Sequence, residues 1–598
     1  MTIKTDKNEK TDLLALRHSA EHILQNAMEK IYPKILKVIG PATEDGFFME
    51  FDLEEKITPE EFEKIEKIMQ EIVEADLPIT KHVVTKEYAE THFANNPYKL
   101  QLIRDIYERG EEISFYQVGE PGDKYFETDL CSGPHVSRTS DVGAIKLLHV
   151  SGAYWRNDSS NKMLQRIHGT AFQTNDNLVS YLDKLEEAKR RDHRKLGKEL
   201  DLFVFSDVVG KGLPMFTEKG ATIWRELERF TVDEEIKNGY KHVRTPALAK
   251  VDLYKKSGHY PYYADTMYPT MKCEDEELIL RPMTCPHHFE LYGSKIRTYK
   301  ELPLRIAEIS QLYRYELSGT LTGLFRARGF CLADSHNFVR KNNASEEIKM
   351  VLALIKKMVG TLGLEEGNDY VYRLSLGDSS NKEKYYDSPK EWEYAENVLR
   401  DVLKQTGASF YEAKNEAAFY GPKIDIQMFN VLGKEETAFT VQYDFCMPER
   451  FDLKYVNEKG EIEQPVVIHR SSIGAFERII GFLIEKYAGA FPVWLAPVQV
   501  KIIPISEKHI EYATKIDLYL KSKGLRVEID DRSETMQARI RDAQVAKVPY
   551  MLIFGDKEVQ NNTVSVRLRS NENKGEMSYS DFGDLALNKY LTKALDLW

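Results

Sequence analysis

The sequence predicts an α+β protein built from three or four domains. Its 598 residues exceed what one hydrophobic core supports, since single domains usually hold about 50–200 residues. Helix and strand signals mix in residues 1–180 and alternate over residues 201–490, at lengths that suit a mixed or antiparallel sheet with flanking helices. From residue 491 the pattern becomes a strand–helix alternation, typical of a small parallel α/β domain.

Composition and charge exclude several classes of protein. A net charge of −12 argues against indiscriminate coating of nucleic acid, so any RNA contact must be confined to particular faces. Five scattered cysteines are typical of a reducing compartment and not of a disulfide framework. No stretch approaches the roughly 18 apolar residues that a membrane span needs, and no signal peptide is recognisable. We therefore expect a cytoplasmic protein without a membrane anchor.

Two helical segments help to divide the chain. Residues 59–74 form an amphipathic pattern behind Thr58, a favourable N-cap, with proline at the first helical position. Residues 181–200 carry seven Lys or Arg against five Asp or Glu and have little that could build a core. This segment is predicted to be a helical linker between domains, or more simply a solvated helical face.

A set of arginines in the middle domain carries the strongest chemical signal. Arg314 and Glu316 are two residues apart, so on a strand they would share one face. Arg326 and Phe330 follow after a glycine-bearing loop, and Arg478 opens a helix about 150 residues later. Singly, each could be a surface ion pair or a helix cap. Because guanidinium groups bind phosphates and stack on rings, the ordered set predicts a site for a triphosphate and an adenine.

The order and spacing of this set resemble the second and third signature motifs of class II aminoacyl-tRNA synthetases. Further segments resemble the threonyl-tRNA synthetases in particular: residues 281–288, 328–336, 418–425, 440–445 and 467–470. The resemblance implies a class II antiparallel catalytic core over residues 201–490. It also implies ATP-dependent attachment of L-threonine to tRNA(Thr) through threonyl-adenylate, with Mg²⁺ accompanying ATP.

The resemblance assigns the nucleotide contacts residue by residue. Arg314, which shares its motif with Glu316, would hold the α-phosphate and the carboxylate, and Arg326 would reach toward the γ-phosphate. Phe330 and Arg478 would sandwich the adenine. Because charge builds on phosphate oxygens in this reaction, fixed cations are the main means of catalysis.

The resemblance also implies one zinc ion held by Cys285, His336 and His469, a set that spacing alone does not reveal. Viewed singly, these residues are a buried small side chain and two satisfied histidines. Three N or S ligands leave zinc an open coordination position. The amino group and hydroxyl of threonine would bind there, whereas valine lacks the hydroxyl and would be rejected. The residues that match the family's amino-acid pocket are Asp334, Tyr420 and Gln442.

The chain departs from the family's usual pattern at five positions. His287 stands where glycine is general, and Leu332 and Ala333 replace more polar residues. Tyr315 and Leu317 flank the motif glutamate where Asn and Pro are usual. These changes bear on the pocket and the loop, while the zinc ligands are retained.

A second cluster lies in residues 1–180. His18 and His22 are four residues apart and therefore share one helix face, and Cys131 and His135 could join them. The residues alone suggest a zinc site, or else unrelated core histidines. The resemblance instead implies an editing domain that hydrolyses seryl-tRNA, commonly without metal, and it leaves metal occupancy open. The predicted editing residues are His18, His22, Lys99, Asp129, Cys131 and His135.

Residues 491–598 resemble the anticodon-binding domain shared by several class II synthetases. Glu558 could accept from base amino groups and Arg567 could donate, although a surface ion pair explains each equally well. The long helix ending before Pro246 resembles the element that forms the class II dimer interface, which implies a homodimer. The small ubiquitin-like domain that often precedes the editing domain in this family is not visible here.

Two other functions fit parts of the sequence. One is a stand-alone hydrolase of mischarged tRNA whose ligase half has become a scaffold. The other is a regulator that senses an amino acid on a synthetase body. The complete arginine set and all three zinc ligands argue against the hydrolase, and threonine-dependent exchange between ATP and pyrophosphate would separate all three functions.

Overall fold

The computed structural model describes residues 7–378 and 380–598, with side chains from residue 12 onward. Its contacts separate two units, one ending at Leu185 and the other comprising Glu186–Trp598. Both units mix helices and strands, which confirms the α+β multidomain class. The division at residues 180, 200 and 490 stays a prediction. Among the described helices, none has the length and hydropathy that a bilayer crossing requires.

The N-terminal unit is built on two antiparallel sheets. Its helices are α1 Lys7–Ile31, α2 Phe62–Glu74, α3 Lys86–His92, α4 Pro97–Glu108 and the first part of α5 Asn175–Arg191. Its strands are β1 Leu36–Lys37, β2 Phe47–Asp52, β3 Ile79–Val83, β4 Ser114–Val118, β5 Glu127–Leu130, β6 Ala144–Tyr154 and β7 Met163–Phe172. The sheets have the orders β1-β2-β7-β6 and β3-β4-β5.

Apolar side chains at helical spacing hold α1 against the larger sheet. Leu16, Ala20, Ile23 and Ala27 are all buried on one face of the helix. At the start of the α2 region, the Thr58 N–H donates to a carboxylate oxygen of Glu61 at 3.1 Å, as a capping box requires. The predicted helix start at residue 59 is therefore confirmed, with a short 3₁₀ turn preceding α2.

The predicted linker is two helices and not one. Helix α5 ends at Arg191, and α6 His193–Glu199 begins directly afterwards. Asp192 separates them, because its carboxylate accepts the backbone N–H of Arg194 at 2.8 Å and thereby caps the new helix. The expectation of a single helix over residues 181–200 is wrong for this reason.

The larger unit centres on an eight-stranded sheet. Its remaining helices before residue 490 are α7 Glu218–Lys237, α8 Val251–Ser257, α9 His259–Tyr262, α10 Cys285–Gly293, α11 Ala344–Thr361, α12 Pro389–Gln405, α13 Met447–Arg450 and α14 Phe476–Tyr487. The strands are β8 Phe203–Val204, β9 Met215–Phe216, β10 Lys241–His242, β11 Leu248–Lys250, β12 Met271–Cys273, β13 Glu276–Leu280, β14 Leu304–Tyr313, β15 Gly329–Val339, β16 Tyr370–Leu376, β17 Phe410–Lys414, β18 Lys423–Phe429, β19 Glu435–Asp444, β20 Tyr455–Val456, β21 Ile462–Glu463 and β22 Val466–Ala475.

The order of this sheet is β10-β14-β15-β22-β19-β18-β16-β17. Only the two edge pairs, β10 with β14 and β16 with β17, are parallel, so the centre is antiparallel as predicted. Strands β15 and β22 are buried over most of their length. Helix α14 packs against both of these strands, and α11 packs against β22. The two central strands are thus fixed side by side.

The last sheet of the chain is mixed, although a parallel one was expected. It has the order β24-β23-β25-β26-β27, and only its first three strands are parallel. The connections 555–562 and 569–572 are too short for the crossover of roughly a dozen residues that parallel strands need. The elements are β23 Val500–Pro504, α15 Ile510–Ser522, β24 Val527–Ile529, α16 Met536–Val545, β25 Tyr550–Phe554, α17 Asp556–Asn561, β26 Thr563–Leu568, β27 Asn573–Ser578 and α18 Tyr579–Leu591.

Candidate functional site

A cavity of about 870 Å³ opens against the eight-stranded sheet. Most of the residues predicted to bind nucleotide, amino acid and metal line it, although they are scattered over about 200 positions of the sequence. These are Cys285, Arg314, Glu316, Arg326, Phe330, Asp334, Tyr420, Gln442, His469 and Arg478. His336 lies beside His469, with 4.5 Å between the ring centroids. The fold therefore brings the predicted set together in one place.

The arginine motif departs from its expected geometry at one point. Strand β14 ends at Tyr313, so Arg314 and Glu316 lie beyond it, and the prediction that both project from one strand face is wrong. The chain leaves the sheet here because it enters a 3₁₀ turn at Ser318–Thr320. Glu316 instead accepts a hydrogen bond from Nε of Arg326 at 2.8 Å. This ion pair joins the two ends of the loop.

Positive charge is concentrated at one end of the cavity. The Arg314 guanidinium lies 5.1 Å from the centroid of the Phe330 ring. Arg478 donates from Nε to the carbonyl oxygen of Phe325 at 3.0 Å. Burial lowers the pKa of Arg478, and the nearby charge of Arg314 lowers it further. Guanidinium groups that repel one another in a cavity favour a bound polyanion, and the phenyl ring offers a stacking surface for a base.

Three buried side chains form a candidate metal group. Cys285 begins α10, and His336 and His469 occupy paired positions on the neighbouring strands β15 and β22. Their ligating atoms all lie within 4.8 Å of one another. Burial raises the pKa of the Cys285 thiol well above its usual value, so a bound cation would have to displace its proton.

A chain of hydrogen bonds leaves one ring nitrogen of His336 without a proton. Its Nδ1 lies 2.8 Å from Nδ1 of His288, whose Nε2 lies 3.3 Å from the carboxylate of Glu308. Because an ionised carboxylate only accepts, His288 carries its proton on Nε2 and accepts the Nδ1 proton of His336. Nε2 of His336 is therefore a buried lone pair, and it has no hydrogen-bond partner within the part of the chain that the structure describes. Such an orphaned atom beside a thiol and a second imidazole fits a metal ion.

A second carboxylate orients the other histidine. Nε2 of His469 lies 2.7 Å from a carboxylate oxygen of Asp444, which leaves Nδ1 of His469 for a cation. The other carboxylate oxygen accepts two backbone N–H groups of the following turn at 2.9 Å. Sequence reasoning missed the roles of Asp444, Glu308 and His288. The available signal was an acidic residue inside an otherwise apolar strand, since a buried carboxylate requires partners.

The predicted amino-acid pocket adjoins this group. The Tyr420 ring stacks on His469 with 5.1 Å between centroids, and its hydroxyl donates to the side-chain oxygen of Gln442. Asp334 is two residues before His336 on β15, so both side chains share one face of the strand. Burial raises the pKa of the Asp334 carboxyl. A bound cation nearby would favour its ionised form.

The five unusual residues occupy different environments. Leu332 lines the cavity, whereas Ala333 is fully buried in the sheet. Tyr315 and Leu317 are exposed on the arginine loop. His287 is buried, which lowers its pKa to about 4. Of the five, only Leu332 faces the space that a substrate would enter.

The N-terminal unit has its own cavity of about 310 Å³. Its lining includes His18, His22, Lys99, Asp129 and Cys131. The sulfur of Cys131 lies 3.4 Å from Nε2 of His18 and 3.2 Å from Nε2 of His135. The ligating atoms of the three histidines and the cysteine all lie within 4.8 Å of one another, so the geometry suits a metal ion as well as a hydrolytic cluster.

The charges in this second cavity are strongly coupled. Burial alone would raise the pKa of Cys131, but hydrogen bonds to His135 and His18 and the neighbouring His22 outweigh it and lower the pKa to about 3. Burial would lower the pKa of His22, but the neighbouring Cys131 and Glu127 outweigh it and raise the pKa well above the usual value. Burial lowers the pKa of His135 to about 4. At neutral pH the cluster therefore holds a thiolate, an imidazolium and an uncharged imidazole.

Two buried ion pairs surround this cluster. Lys99 and Asp129 are 2.7 Å apart, and Lys37 and Glu127 are 2.5 Å apart. Sequence reasoning named Lys99 and Asp129 as editing residues without predicting that they pair, and it missed Lys37 and Glu127. The buried Glu127 contacts His22 at 3.7 Å and so contributes to its charged state.

The two residues predicted to contact the anticodon lie on the last sheet and its short helix. A carboxylate oxygen of Glu558 accepts the backbone N–H of Gly555 at 2.9 Å at the start of α17. Arg567 lies on β26 and donates to the side chain of Asn571 at 3.2 Å. Both have local structural partners, and their role in binding RNA stays a prediction.

Three arginines from a loop and a helix line a cavity against an antiparallel sheet, as expected of a class II aminoacyl-tRNA synthetase core. Family models agree with this class. Residues 268–487 match the tRNA synthetase class II core domain (G, H, P, S and T), residues 499–589 match an anticodon binding domain, and residues 113–168 match the threonyl and alanyl tRNA synthetase second additional domain.

Individual relatives identify the family within the class II aminoacyl-tRNA synthetases. The threonine–tRNA ligase of Geobacillus sp. strain WCH70 is 50% identical over 583 residues, which are 97% of this chain and 89% of the relative. That of Geobacillus kaustophilus strain HTA426 is 49% identical over 97% of this chain and 88% of its own length. The solved RNA binding domain of threonyl-tRNA synthetase from Cryptosporidium parvum Iowa II is 32% identical, with a TM-score of 0.63, over 68% of this chain and 99% of that domain. The chain belongs to the threonyl-tRNA synthetases.

The pKa of Cys131 leads to a direct prediction. Since the thiolate is the nucleophile, alkylation of an ordinary thiol with a pKa of about 8.5 slows about tenfold per unit between pH 8 and pH 5. Because the pKa of Cys131 is lowered to about 3, its alkylation by iodoacetamide should stay nearly constant over this range. Mass spectrometry of the Cys131 peptide measures the rate. His22→Ala should restore a dependence on pH, and a tenfold loss per unit in the unmodified chain would contradict the assignment.

Proposed function

We propose that this chain attaches L-threonine to tRNA(Thr) in an ATP-dependent reaction through threonyl-adenylate, and hydrolyses seryl-tRNA formed in error. One observation carries the proposal: the arginine cluster lines the same cavity as Cys285 and His469, and His336 lies beside His469 within ligand distance of both. Metal-assisted adenylation of an amino acid requires a nucleotide site and a metal site in the same cavity. The relatives named threonine–tRNA ligases support the same reaction.

Arg314, Arg326, Phe330 and Arg478 bind ATP in this proposal. The guanidinium groups hold the phosphates, and the Phe330 ring and Arg478 enclose the adenine. Attack of the threonine carboxylate on the α-phosphorus builds negative charge on phosphate oxygens, which Arg314 is placed to stabilise. The role of Glu316 is to hold Arg326, 2.8 Å away, at the end of the loop. Mg²⁺ accompanies the nucleotide, because phosphoryl chemistry of ATP uses it.

Cys285, His336 and His469 would hold zinc in the same cavity. One thiolate and two imidazoles are typical zinc ligands and leave an open coordination position. When bound, the ion supplies a Lewis acid that the amino group and the side-chain hydroxyl of a substrate can reach. Asp334 accepts the hydrogen bond of that hydroxyl, and Tyr420 with Gln442 closes the pocket. Valine lacks the hydroxyl and is rejected, because buried polar groups would lose their partner.

Serine keeps the hydroxyl and lacks only a methyl group, so this pocket cannot exclude it. A missing methyl group is worth roughly 1–3 kcal/mol, or about 10–200-fold in selectivity. The N-terminal cluster corrects the resulting error by hydrolysing the ester of seryl-tRNA. A neutral histidine of the cluster, or Cys131, would position the water that attacks the ester, and burial keeps His135 uncharged near neutral pH by lowering its pKa to about 4. Lys99, held by Asp129, orients the substrate.

The remaining partners follow from the family. Residues 491–598 would bind the anticodon of tRNA(Thr), with Glu558 and Arg567 facing the bases. The helix α7, which precedes Pro246, would form a homodimer interface, and the mass in solution measured by light scattering tests this. A cytoplasmic location agrees with the five free cysteines.

Threonine-dependent exchange between ATP and pyrophosphate tests the proposed function and separates it from the two alternatives. Purified protein should catalyse exchange with threonine, with serine roughly 10–200-fold less efficiently, and with valine at background. Arg478→Ala should lower the rate by about 100-fold or more, because it removes a fixed cation from the nucleotide. Lys349→Ala, which removes an ion pair with Glu346 within α11 and away from the cavity, should leave it unchanged. A protein without exchange would be a hydrolase or a regulator instead.

Metal affinity tests the hydrogen-bond chain behind the ligands. His288→Ala removes the group that orients His336 and should weaken zinc binding by about 10–100-fold in competition with a chelator. His509→Ala, a buried histidine 3.0 Å from Asp556 and outside the lining of this cavity, is the matched control and should retain the affinity. Unchanged affinity in His288→Ala would contradict the assigned proton positions.

Deacylation of seryl-tRNA tests the N-terminal site separately. The double variant His18→Ala with His22→Ala should lose deacylation and keep threonine-dependent exchange, because the two cavities lie in different units. His168→Ala, in the same unit but bonded to Ser151, is the control and should deacylate normally. Deacylation at the original rate in the double variant would place editing elsewhere.

A further inference from the structure

One buried histidine outside the substrate pocket touches the loop of the nucleotide site. His193, on α6, is 2% exposed. The backbone N–H of Leu324 donates to its Nε2 at 3.0 Å. On the other side of the ring, Nδ1 lies 2.8 Å from a carboxylate oxygen of Glu485 on α14. The imidazole thus bridges α14 and the loop that joins β14 to β15.

The donor at Leu324 fixes the tautomer of this ring. A backbone N–H can only donate, so Nε2 of His193 must present its lone pair, and the proton must lie on Nδ1 and point to Glu485. The same carboxylate oxygen also accepts the backbone N–H of His193 at 3.2 Å. Asp192, His193 and Glu485 lie close enough together to hold a cation. Both ring nitrogens already have partners, however, so the contacts favour a positioning role over a metal site.

The turn that His193 holds is part of the nucleotide cavity. Leu324 and Phe325 both line it, next to Arg326. The carbonyl oxygen of Phe325 accepts from Nε of Arg478 at 3.0 Å, so the turn is bonded on one side by Arg478 and on the other by His193. The rings of Phe325 and His193 are 4.3 Å apart. The turn is therefore held from two directions.

The glycine before this turn is adapted to the histidine. Gly323 has a φ of +55°, in the left-handed region, and a Cβ added there would lie 2.3 Å from Nε2 of His193. A side chain at this position would displace the ring from Leu324. Glycine at position 323 therefore leaves the space in which His193 accepts the hydrogen bond of Leu324.

Helix α14 links the two bonds. It carries Arg478 near its start and Glu485 near its end. Arg191, at the end of α5, donates to the backbone oxygen of Lys486 at 3.2 Å and so binds the carbonyl end of α14, where a cation is favourable. The junction of α5 and α6 is thereby fixed to the helix that supplies an arginine to ATP.

We propose that His193, oriented by Glu485, is a positioning residue for adenylation. It holds the Leu324–Phe325 turn in the conformation in which Arg326 and Arg478 face the nucleotide. This role rests on the proposed function, because it presumes that ATP occupies the cavity. His193 contacts the loop and α14 but does not line the cavity, so its loss should affect ATP far more than threonine.

Two substitutions of His193 separate its two hydrogen bonds. Glutamine places a carbonyl oxygen near the position of Nε2, and can still accept from Leu324. Asparagine reaches only the position of Nδ1, and can bond Glu485 but not Leu324. His193→Asn should lower kcat/KM for ATP in exchange by about 10–100-fold and leave KM for threonine unchanged, because the loop is misplaced by about an ångström. His193→Gln should recover most of the loss.

Further variants and controls make the test decisive. Glu485→Leu should resemble His193→Asn, and Gly323→Ala should do the same by pushing on the ring. Circular dichroism and the unfolding temperature, measured in parallel, report that each variant is folded, because deacylation belongs to the other unit and would not detect a misfolded larger unit. Wild-type kinetics for ATP in His193→Asn, or equal losses in the Asn and Gln variants, would overturn the positioning role. If the unsubstituted protein lacks exchange, the proposed function itself fails, which is a distinguishable result.

Discussion

The antiparallel pairing of β15 with β22 is the constraint on which the main site depends. β15 carries Phe330, Asp334 and His336 at even spacing, so all three share one face. β22 sets His469 opposite His336 and leads directly into the helix that carries Arg478. A slip of one residue in this pairing would turn either set to the other side of the sheet. The apolar helices packed behind the two strands make such a slip costly, because it would bury polar groups without partners.

Buried carboxylates fix the tautomers of the histidines that these strands position. Glu308 acts through His288 on His336, and Asp444 acts directly on His469. Each fixes a proton on one ring nitrogen and leaves the other as a lone pair. Glu485 does the same for His193, where the lone pair meets a backbone N–H instead. At three places a carboxylate therefore fixes the tautomer of a histidine. The ring nitrogen without a proton then serves as a hydrogen-bond acceptor or as a metal ligand.

The sequence predicts the α+β class, the antiparallel centre and most of the side chains that meet in the two cavities. Periodicity and motif order predict the fold class and the arginine set, because each is a local property, whereas the zinc ligands, the amino-acid pocket and the editing residues rest on the family resemblance. Long-range hydrogen bonds are not local, so the roles of His288 and Glu308 were missed. Asp192 ends a helix that charge pattern alone would continue, and Arg314 leaves the strand because a 3₁₀ turn follows. In both cases a specific backbone hydrogen bond or turn outweighs the local preference for continuing the helix or the strand.

X-ray absorption at the zinc edge of the purified protein tests the central claim most directly. If Cys285, His336 and His469 hold the ion, the spectrum should show one sulfur at about 2.3 Å and two nitrogen ligands from imidazole at about 2.0–2.1 Å, with a lighter atom completing the shell. Replacement of Cys285 by serine should remove the sulfur contribution. A spectrum of oxygen ligands alone, or a sulfur contribution that survives Cys285→Ser, would contradict the account.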